Sequence, residues 1–377
     1  MFSLTPEVQL DVLKCLNFEQ LFSLKQTNFY FCNLIDKYEG TLARIKFYKL
    51  RLIRTNFIFR RDVIIKHEPA ISESVLDGKW QAAIAESTPL FLHGFEDNIE
   101  EFAVRIKKTG SVTYYEGRLF YRLFECQLLY ITPGSRPMYR SCSWNNLPYE
   151  RGDKNSSYII KLPNIPKTIE EMIITRFWLK QLFNCAFESV KFKYITFNPS
   201  MINLLFDDDR TNLKQFHVQN FDLYLSNYIK ENIFKFVLNR FAIYWLFVNV
   251  DFVESNLTKN NISERQTDIL FNIIINEGNK LPKVNFGCFK SSRIYDLIVE
   301  YITTSKDFSK MVPSIQIFFD PCENFKLPER AKKVKTSERY KYTRYHIVNI
   351  YNPKVKFLFS IQKFRTLFYV YIDKMEE

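Results

Sequence analysis

The feature that most restricts the fold is the alternation of helical and strand-like segments between residues 166 and 320. Short apolar runs of strand character lie at 172–175, 190–196, 213–218, 243–250, 283–286 and 314–319. Amphipathic segments separate them, and one begins at a possible capping box formed by Ser263 and Gln266. Such alternation predicts a mainly parallel sheet whose strands are connected by crossover helices.

The spacing of the strands leaves two arrangements open. Their starts lie 18, 23, 30, 40 and 31 residues apart, so the repeating unit changes in length along the chain. We predict an α+β protein whose main part is an irregular α/β, leucine-rich-repeat-like solenoid, and a closed α/β domain is the alternative. Two later apolar runs, at 355–362 and 366–373, predict a C-terminal β-hairpin that caps the last repeat.

The first residues of the chain have the pattern of an amphipathic helix. Thr5 can cap it, and Pro6 occupies its first turn, where a missing N–H has no cost. Leu10, Leu13 and Leu16 then form an apolar stripe. Two further short helical segments follow, so we predict a small three-helix bundle. Such a unit is too small to be stable alone, and its leucines need a partner or the rest of the chain.

Residues 2–45 resemble an F-box, the motif that recruits substrate receptors to cullin–RING ubiquitin ligases through a Skp-type adaptor. The family pattern is leucine-proline-proline-glutamate, then leucines along the first helix, a paired-leucine segment, a valine-cysteine step and a tryptophan. Here Thr5 replaces the first proline, Thr27-Asn28 the valine-cysteine step, and Phe31 the tryptophan. The resemblance implies that nine residues contact the adaptor or support that contact: Leu4, Pro6, Glu7, Leu10, Leu13, Leu16, Leu21, Leu24 and Phe31.

The opening segment is also similar to the large, divergent F-box families of nematodes, as are residues 162–187 and 271–286. This resemblance implies the substrate-recognition subunit of a Skp–cullin–F-box type ubiquitin ligase. It would bind a Skp-type adaptor, through it a cullin, and a target protein. We expect an F-box bundle over 1–45, a linker helix and mixed α/β region over 46–165, and a target-binding region over 166–377.

The net charge of +12 is concentrated in two segments. Residues 40–66 contain eight Lys or Arg against Asp62 alone, and residues 326–344 contain eight against two Glu. These segments suggest an alternative function, a non-catalytic scaffold that binds nucleic acid or acidic protein through 44–66 and 326–344. Aromatic side chains at 47, 48, 57 and 59 could stack on bases. Because the chain is rich in aromatic residues, we expect these four to face the core, which argues against nucleic-acid binding.

Catalytic chemistry has little support in the sequence. The four histidines, at 67, 93, 217 and 346, are widely separated, and no nucleophile or phosphate-loop motif is present. The triplet Asp207-Asp208-Asp209 is expected to be a solvated turn. We therefore predict no enzyme activity, no cofactor and no metal. A hydrolase with an unfamiliar site, dependent on His217 or Asp208, is the third possibility.

The cysteine pattern and the hydropathy of the chain indicate its cellular location. Seven cysteines, an odd number with no C-x-x-C pair, favour a reducing compartment. The N-terminus lacks the pattern of a secretory signal, and no apolar run reaches the length of a membrane span. We expect a cytosolic or nuclear protein that does not enter a membrane.

Overall fold

The structure is a computed structural model that describes residues 4–38, 41–60, 62–65, 78–85, 101–107, 157–193, 196–206, 215–225, 231–250, 264–289, 292–319, 327–337, 342–364 and 367–375. These residues contain nine α-helices: α1 (Pro6–Lys14), α2 (Phe18–Lys25), α3 (Phe29–Tyr38), α4 (Gly78–Ala85), α5 (Ile169–Phe183), α6 (Pro199–Phe206), α7 (Glu231–Arg240), α8 (Glu264–Asn276) and α9 (Arg293–Thr304). They also contain thirteen strands: β1 (Ile45–Arg54), β2 (Val63–Ile65), β3 (Glu101–Lys107), β4 (Tyr158–Pro163), β5 (Cys185–Lys193), β6 (Phe216–Leu225), β7 (Phe241–Val250), β8 (Lys283–Phe289), β9 (Ser314–Phe319), β10 (Lys332–Ser337), β11 (Tyr342–Val348), β12 (Lys356–Phe364) and β13 (Leu367–Lys374).

The thirteen strands belong to one mixed sheet, in the order β10-β11-β12-β13-β9-β8-β7-β6-β5-β1-β3-β4-β2. The chain divides into two compact units. One comprises Met1–Glu188 and Ile195–His217, and the other comprises Ser189–Tyr194 and Val218–Glu377.

The predicted fold class, a three-helix bundle followed by a leucine-rich-repeat-like solenoid, is wrong. A solenoid repeats one kind of connection, whereas this sheet contains parallel pairs, such as β7 with β8, and antiparallel pairs, such as β1 with β3. Helices α1 to α3 belong to the same compact unit as β1 to β4 and are not a separate bundle. The local pattern of helices and strands is common to both folds, and only the long-range pairing distinguishes them.

The linker helix predicted at the start of the 46–165 region is also wrong, because residues 45–54 form β1. Leu50 and Leu52 pair with Ile106 and Val104 of β3, and all four side chains are buried. The alternation of apolar and basic residues suits a strand with one buried face. A helix would have spread the same residues around its circumference.

In the first unit, the predicted strand at 172–175 lies instead within α5. The side chain of Thr168 caps this helix by accepting a hydrogen bond from the Glu171 N–H, 3.2 Å away. At the end of α5, the ring of Phe183 packs against the rings of Phe206 and Phe216. Eight of its fifteen residues are buried, so α5 is a core helix without the one-sided pattern of a surface helix.

In the second unit, β7, β8 and β9 are parallel, and α8 and α9 connect them, as the sequence predicted. The predicted antiparallel pairing of the last two strands, β12 and β13, is present. It does not cap the sheet, however, because β11 and β10 continue beyond β12. Residues 332–337 and 342–344 of the basic segment 326–344 lie in β10 and β11.

Candidate functional site

The first three helices share an internal apolar cluster. Its buried members are Leu13, Leu21, Ile35 and Leu42. Leu10, Leu16, Leu24, Leu34 and Tyr38 are partly buried and pack against it. The leucine stripe of α1 is therefore used within the chain.

Five apolar side chains in or just before the same helices are exposed. They are Leu4, Val8, Val12, Phe29 and Tyr30, which are 40%, 45%, 38%, 61% and 43% exposed. Val8 and Val12 are four residues apart and lie on the same side of α1. We call these five residues the N-terminal apolar face. It is the candidate functional site, because neighbouring exposed apolar side chains are typical of interaction surfaces.

A buried polar side chain connects two members of this face, Leu4 and Tyr30. Gln9 is 2% exposed, and its Nε2 donates a hydrogen bond to the carbonyl oxygen of Leu4 over 2.8 Å. The hydroxyl of Tyr30 donates to Oε1 of the same glutamine. Gln9 therefore connects the residues before α1 to α3 and places Leu4 beside Tyr30.

Local interactions explain where these helices begin. Pro6 occupies the first turn of α1, as predicted, but the Thr5 side chain makes no capping hydrogen bond. Asn17 caps α2 through a reciprocal pair of 2.9 Å hydrogen bonds with Gln20. The Asn28 side chain accepts a hydrogen bond from the Phe31 N–H at the start of α3, over 3.0 Å.

The structure divides the nine residues predicted to contact the adaptor into three groups. Leu13, Leu21 and Phe31 are buried, Leu10, Leu16 and Leu24 are partly buried, and Leu4, Pro6 and Glu7 are exposed. Of these nine, only Leu4 belongs to the N-terminal apolar face. Sequence reasoning missed its other four members, although the spacing of Val8 and Val12 was a signal for a second apolar side of α1.

Of the residues considered for catalysis, the structure describes His217 in β6 and His346 in β11. His217 lies in β6, where burial and then the charge of Arg44 lower the pKa of its imidazole. His67, His93 and Asp207-Asp208-Asp209 lie outside the described residues. Among the residues that the structure describes, no group of three His, Cys, Asp or Glu is arranged to bind a metal ion.

Comparison with known proteins gives one partial match. The family model for a domain of unknown function (DUF8381) matches residues 135–252, a segment that does not include the N-terminal apolar face. No curated protein and no solved structure matches the chain. In the described part of the chain, no helix has both the length and the hydropathy needed to cross a membrane.

Proposed function

We propose that this chain is the substrate-recognition subunit of a Skp–cullin–F-box type ubiquitin ligase. In this proposal the N-terminal apolar face binds a Skp-type adaptor, and the C-terminal region binds a target protein. The observation that carries the proposal is that α1 has apolar side chains left over on its outer side after its inner side has filled the internal cluster.

The exposed side chains supply apolar area that a partner can bury. Burying one large apolar side chain completely contributes about 1.5–3 kcal/mol, and a few such residues typically dominate binding. Val8, Val12 and Phe29 are each at least one-third exposed and can lose that area to a partner. Leu10 and Leu13 then have a supporting role, because they hold α1 in place against the internal cluster.

The proposal also covers catalysis and cellular location. As a receptor it is non-catalytic, needs no cofactor and reaches a cullin only through the adaptor. Ubiquitin ligases of this class work in the cytosol or nucleus, which agrees with the cysteine pattern of the sequence.

Co-purification of the full chain with Skp-type adaptors tests the proposal. The decisive variant is Val8→Asp with Val12→Asp, which puts two charges on the outer side of α1. Leu10→Asp with Leu13→Asp is unsuitable, because Leu13 is completely buried and a carboxylate there would unfold the helix. Leu327→Asp with Val334→Asp is the matched control, since both side chains are exposed to a similar degree outside this face.

We expect the double variant to bind the adaptor at least about thirtyfold more weakly, which corresponds to about 2 kcal/mol. The control should bind like the unmodified chain, and all three proteins should have the same thermal stability. Failure of the unmodified chain to bind any Skp-type adaptor would refute the proposal. Unchanged binding by the double variant would show that the N-terminal apolar face is not the interface.

A further inference from the structure

Strand β10 lies at one end of the sheet order and buries none of its side chains. Among the described residues only β11 pairs with it, and five of its six residues are exposed. Burial of side chains therefore does not explain why this segment is a strand. An edge strand presents backbone N–H and C=O groups to a strand from another chain. The outer edge of β10 can thus pair with an extended peptide.

A β-bulge brings two lysines of β10 onto one face of the sheet. Lys332 lies opposite His346 of β11. After a register shift, Lys335 lies opposite Arg344. Residues three apart in a regular strand point to opposite faces, but the extra residue of a bulge returns Lys332 and Lys335 to the same face. Lys333 has a positive φ of 53° within this bulge. The bulge therefore groups four basic side chains at the edge of the sheet.

The lysines of this edge have no carboxylate partner in the described part of the chain. The ion pairs there involve none of Lys332, Lys333, Lys335 and Lys356. Their charges act on the neighbouring imidazole, because burial and then the charges of Lys333, Lys356 and Lys335 lower the pKa of His346. Like charges at short range repel each other, and a bound carboxylate would offset that repulsion. The edge is therefore complementary to an acidic ligand.

We infer that an acidic segment of a target protein binds along β10 as an additional strand of the sheet. Its backbone pairs with the outer edge of β10, and its carboxylates lie beside the lysines. Val334, which is 47% exposed, supplies an apolar contact. A second copy of this chain is a poor occupant, because lysines would then lie opposite lysines. The inference rests on the proposed function for the statement that the acidic segment belongs to a target.

The chemistry of β10 fits a peptide better than a nucleic acid. Single-stranded nucleic acid is bound by positive side chains together with rings on which bases stack, and β10 contains no aromatic residue. The exposed rings of Tyr48, Phe57 and Phe59 lie in the other basic segment, where Phe47 is buried. The expectation that these four rings face the core is therefore wrong for three of them. A sugar-phosphate chain also lacks the alternating N–H and C=O groups that continue a β-ladder.

Fluorescence anisotropy with a short, labelled peptide in which glutamate and valine alternate tests the inference on the full chain. The variant is Lys332→Gln with Lys335→Gln. Its charge-matched control is Lys161→Gln with Lys167→Gln, at two exposed lysines of the first unit. We expect the first variant to bind the peptide about fivefold more weakly and the control to change much less. A peptide in which lysine and valine alternate should not bind.

A methylated peptide tests the addition of a strand. Methyl groups on the backbone nitrogens of the acidic peptide keep every carboxylate but remove the N–H donors that pair with carbonyl oxygens of β10. Loss of several backbone hydrogen bonds should weaken binding about tenfold or more. A peptide held by its charges alone would keep its affinity.

Four results would overturn the inference. The first is absence of acidic-peptide binding at low salt. The second is an equal loss in both charge variants, which would indicate only the net charge of the protein. The third is undiminished binding of the methylated peptide. The fourth is tighter binding of a short oligouridine than of the acidic peptide, which would assign the edge to nucleic acid. Thermal unfolding of each variant separates these outcomes from misfolding.

Peptide binding and adaptor binding are measured separately and can fail separately. The double variant Val8→Asp with Val12→Asp changes only the first unit and should bind the acidic peptide like the unmodified chain. A chain that binds the peptide but no Skp-type adaptor would refute the proposed function and retain the acidic-peptide site. The opposite result would refute this inference alone.

Discussion

Gln9 and Tyr30 are joined by a hydrogen bond from the tyrosine hydroxyl to the glutamine side-chain oxygen, although they belong to different helices. The amide group of the same glutamine holds the carbonyl of Leu4. One buried polar residue of α1 therefore fixes two members of the N-terminal apolar face. An interface built from rigid side chains loses less conformational entropy when it binds.

Replacing Gln9 by Met should weaken both folding and adaptor binding. The change keeps the side-chain volume but leaves the Leu4 carbonyl and the Tyr30 hydroxyl without this partner, at a cost of about 1–3 kcal/mol. Urea unfolding followed by tyrosine fluorescence measures the effect. Gln219→Met, at an exposed glutamine, is the control. Equal midpoints for the two variants would contradict the structural role assigned to Gln9.

Cys15 and Cys32 should differ strongly in reactivity towards iodoacetamide. Cys15 is exposed, whereas Cys32 is buried, and burial together with the charge of Asp36 raises the pKa of the Cys32 thiol to about 11. Because the thiolate is the reactive form, Cys32 should stay unmodified near neutral pH and react only as the pH approaches that value. A short alkylation pulse followed by peptide mass spectrometry measures both sites.

Cys15 also reports on the proposed interface. It follows Val8 by seven residues, two helical turns, and so lies on the same side of α1. A bound adaptor should protect Cys15 from alkylation, and the double variant Val8→Asp with Val12→Asp should abolish the protection. Undiminished labelling of Cys15 in a purified adaptor complex would place the adaptor elsewhere.

Gly278→Ala should destabilise the second unit, whereas Gly287→Ala should not. A Cβ atom at position 278 would lie 2.3 Å from the Met311 carbonyl oxygen, and backbone cannot move aside as a flexible side chain does. At position 287 the nearest atom would be 3.6 Å away, an ordinary contact. Overpacking of this kind costs about 1–3 kcal/mol. Thermal unfolding measures the difference, and equal melting temperatures would contradict the close approach of the two segments.

Acidification should destabilise the protein in part through His217. Burial, followed by the charge of Arg44, lowers the pKa of this imidazole below its ordinary value. As the pH falls, His217 is therefore protonated at a higher pH in the unfolded chain than in the folded protein. The contribution of His217 to the free energy of unfolding is complete above about pH 6.5, the ordinary histidine pKa. It is lost as the pH falls towards the lower pKa of the folded state.

The midpoints of urea unfolding at about pH 7.5 and about pH 5.5 measure this effect. His217→Gln should show a smaller loss of stability between the two conditions than the unmodified chain, because glutamine does not titrate. The same loss in both proteins would assign the pH dependence to other groups.

Local sequence patterns located many elements but not their partners. The predicted strand at 314–319 coincides with β9, and α9 is one of the helical segments predicted between the strands. The strand β1 was mistaken for a helix, because its apolar and basic residues fit either periodicity over a short length. Its partner β3 lies about fifty residues further along the chain, too far for any local pattern to indicate.

The same division between local pattern and long-range contact applies to the candidate site. The leucine spacing of α1 established that the segment is an amphipathic helix, but it could not show whether Leu13 faces the chain or a partner. The tertiary structure decided this by placing Leu21, Ile35 and Leu42 around Leu13, which left Val8 and Val12 outside.

The sequence by itself thus determined where many of the helices and strands form, because their hydrogen bonds and side-chain spacing involve residues only a few positions apart. Only the tertiary structure decided which apolar side chains remain exposed and that Lys49 lies opposite Lys107. Burial and strand register depend on contacts between residues distant in the chain, and single-sequence periodicity contains no information about those contacts.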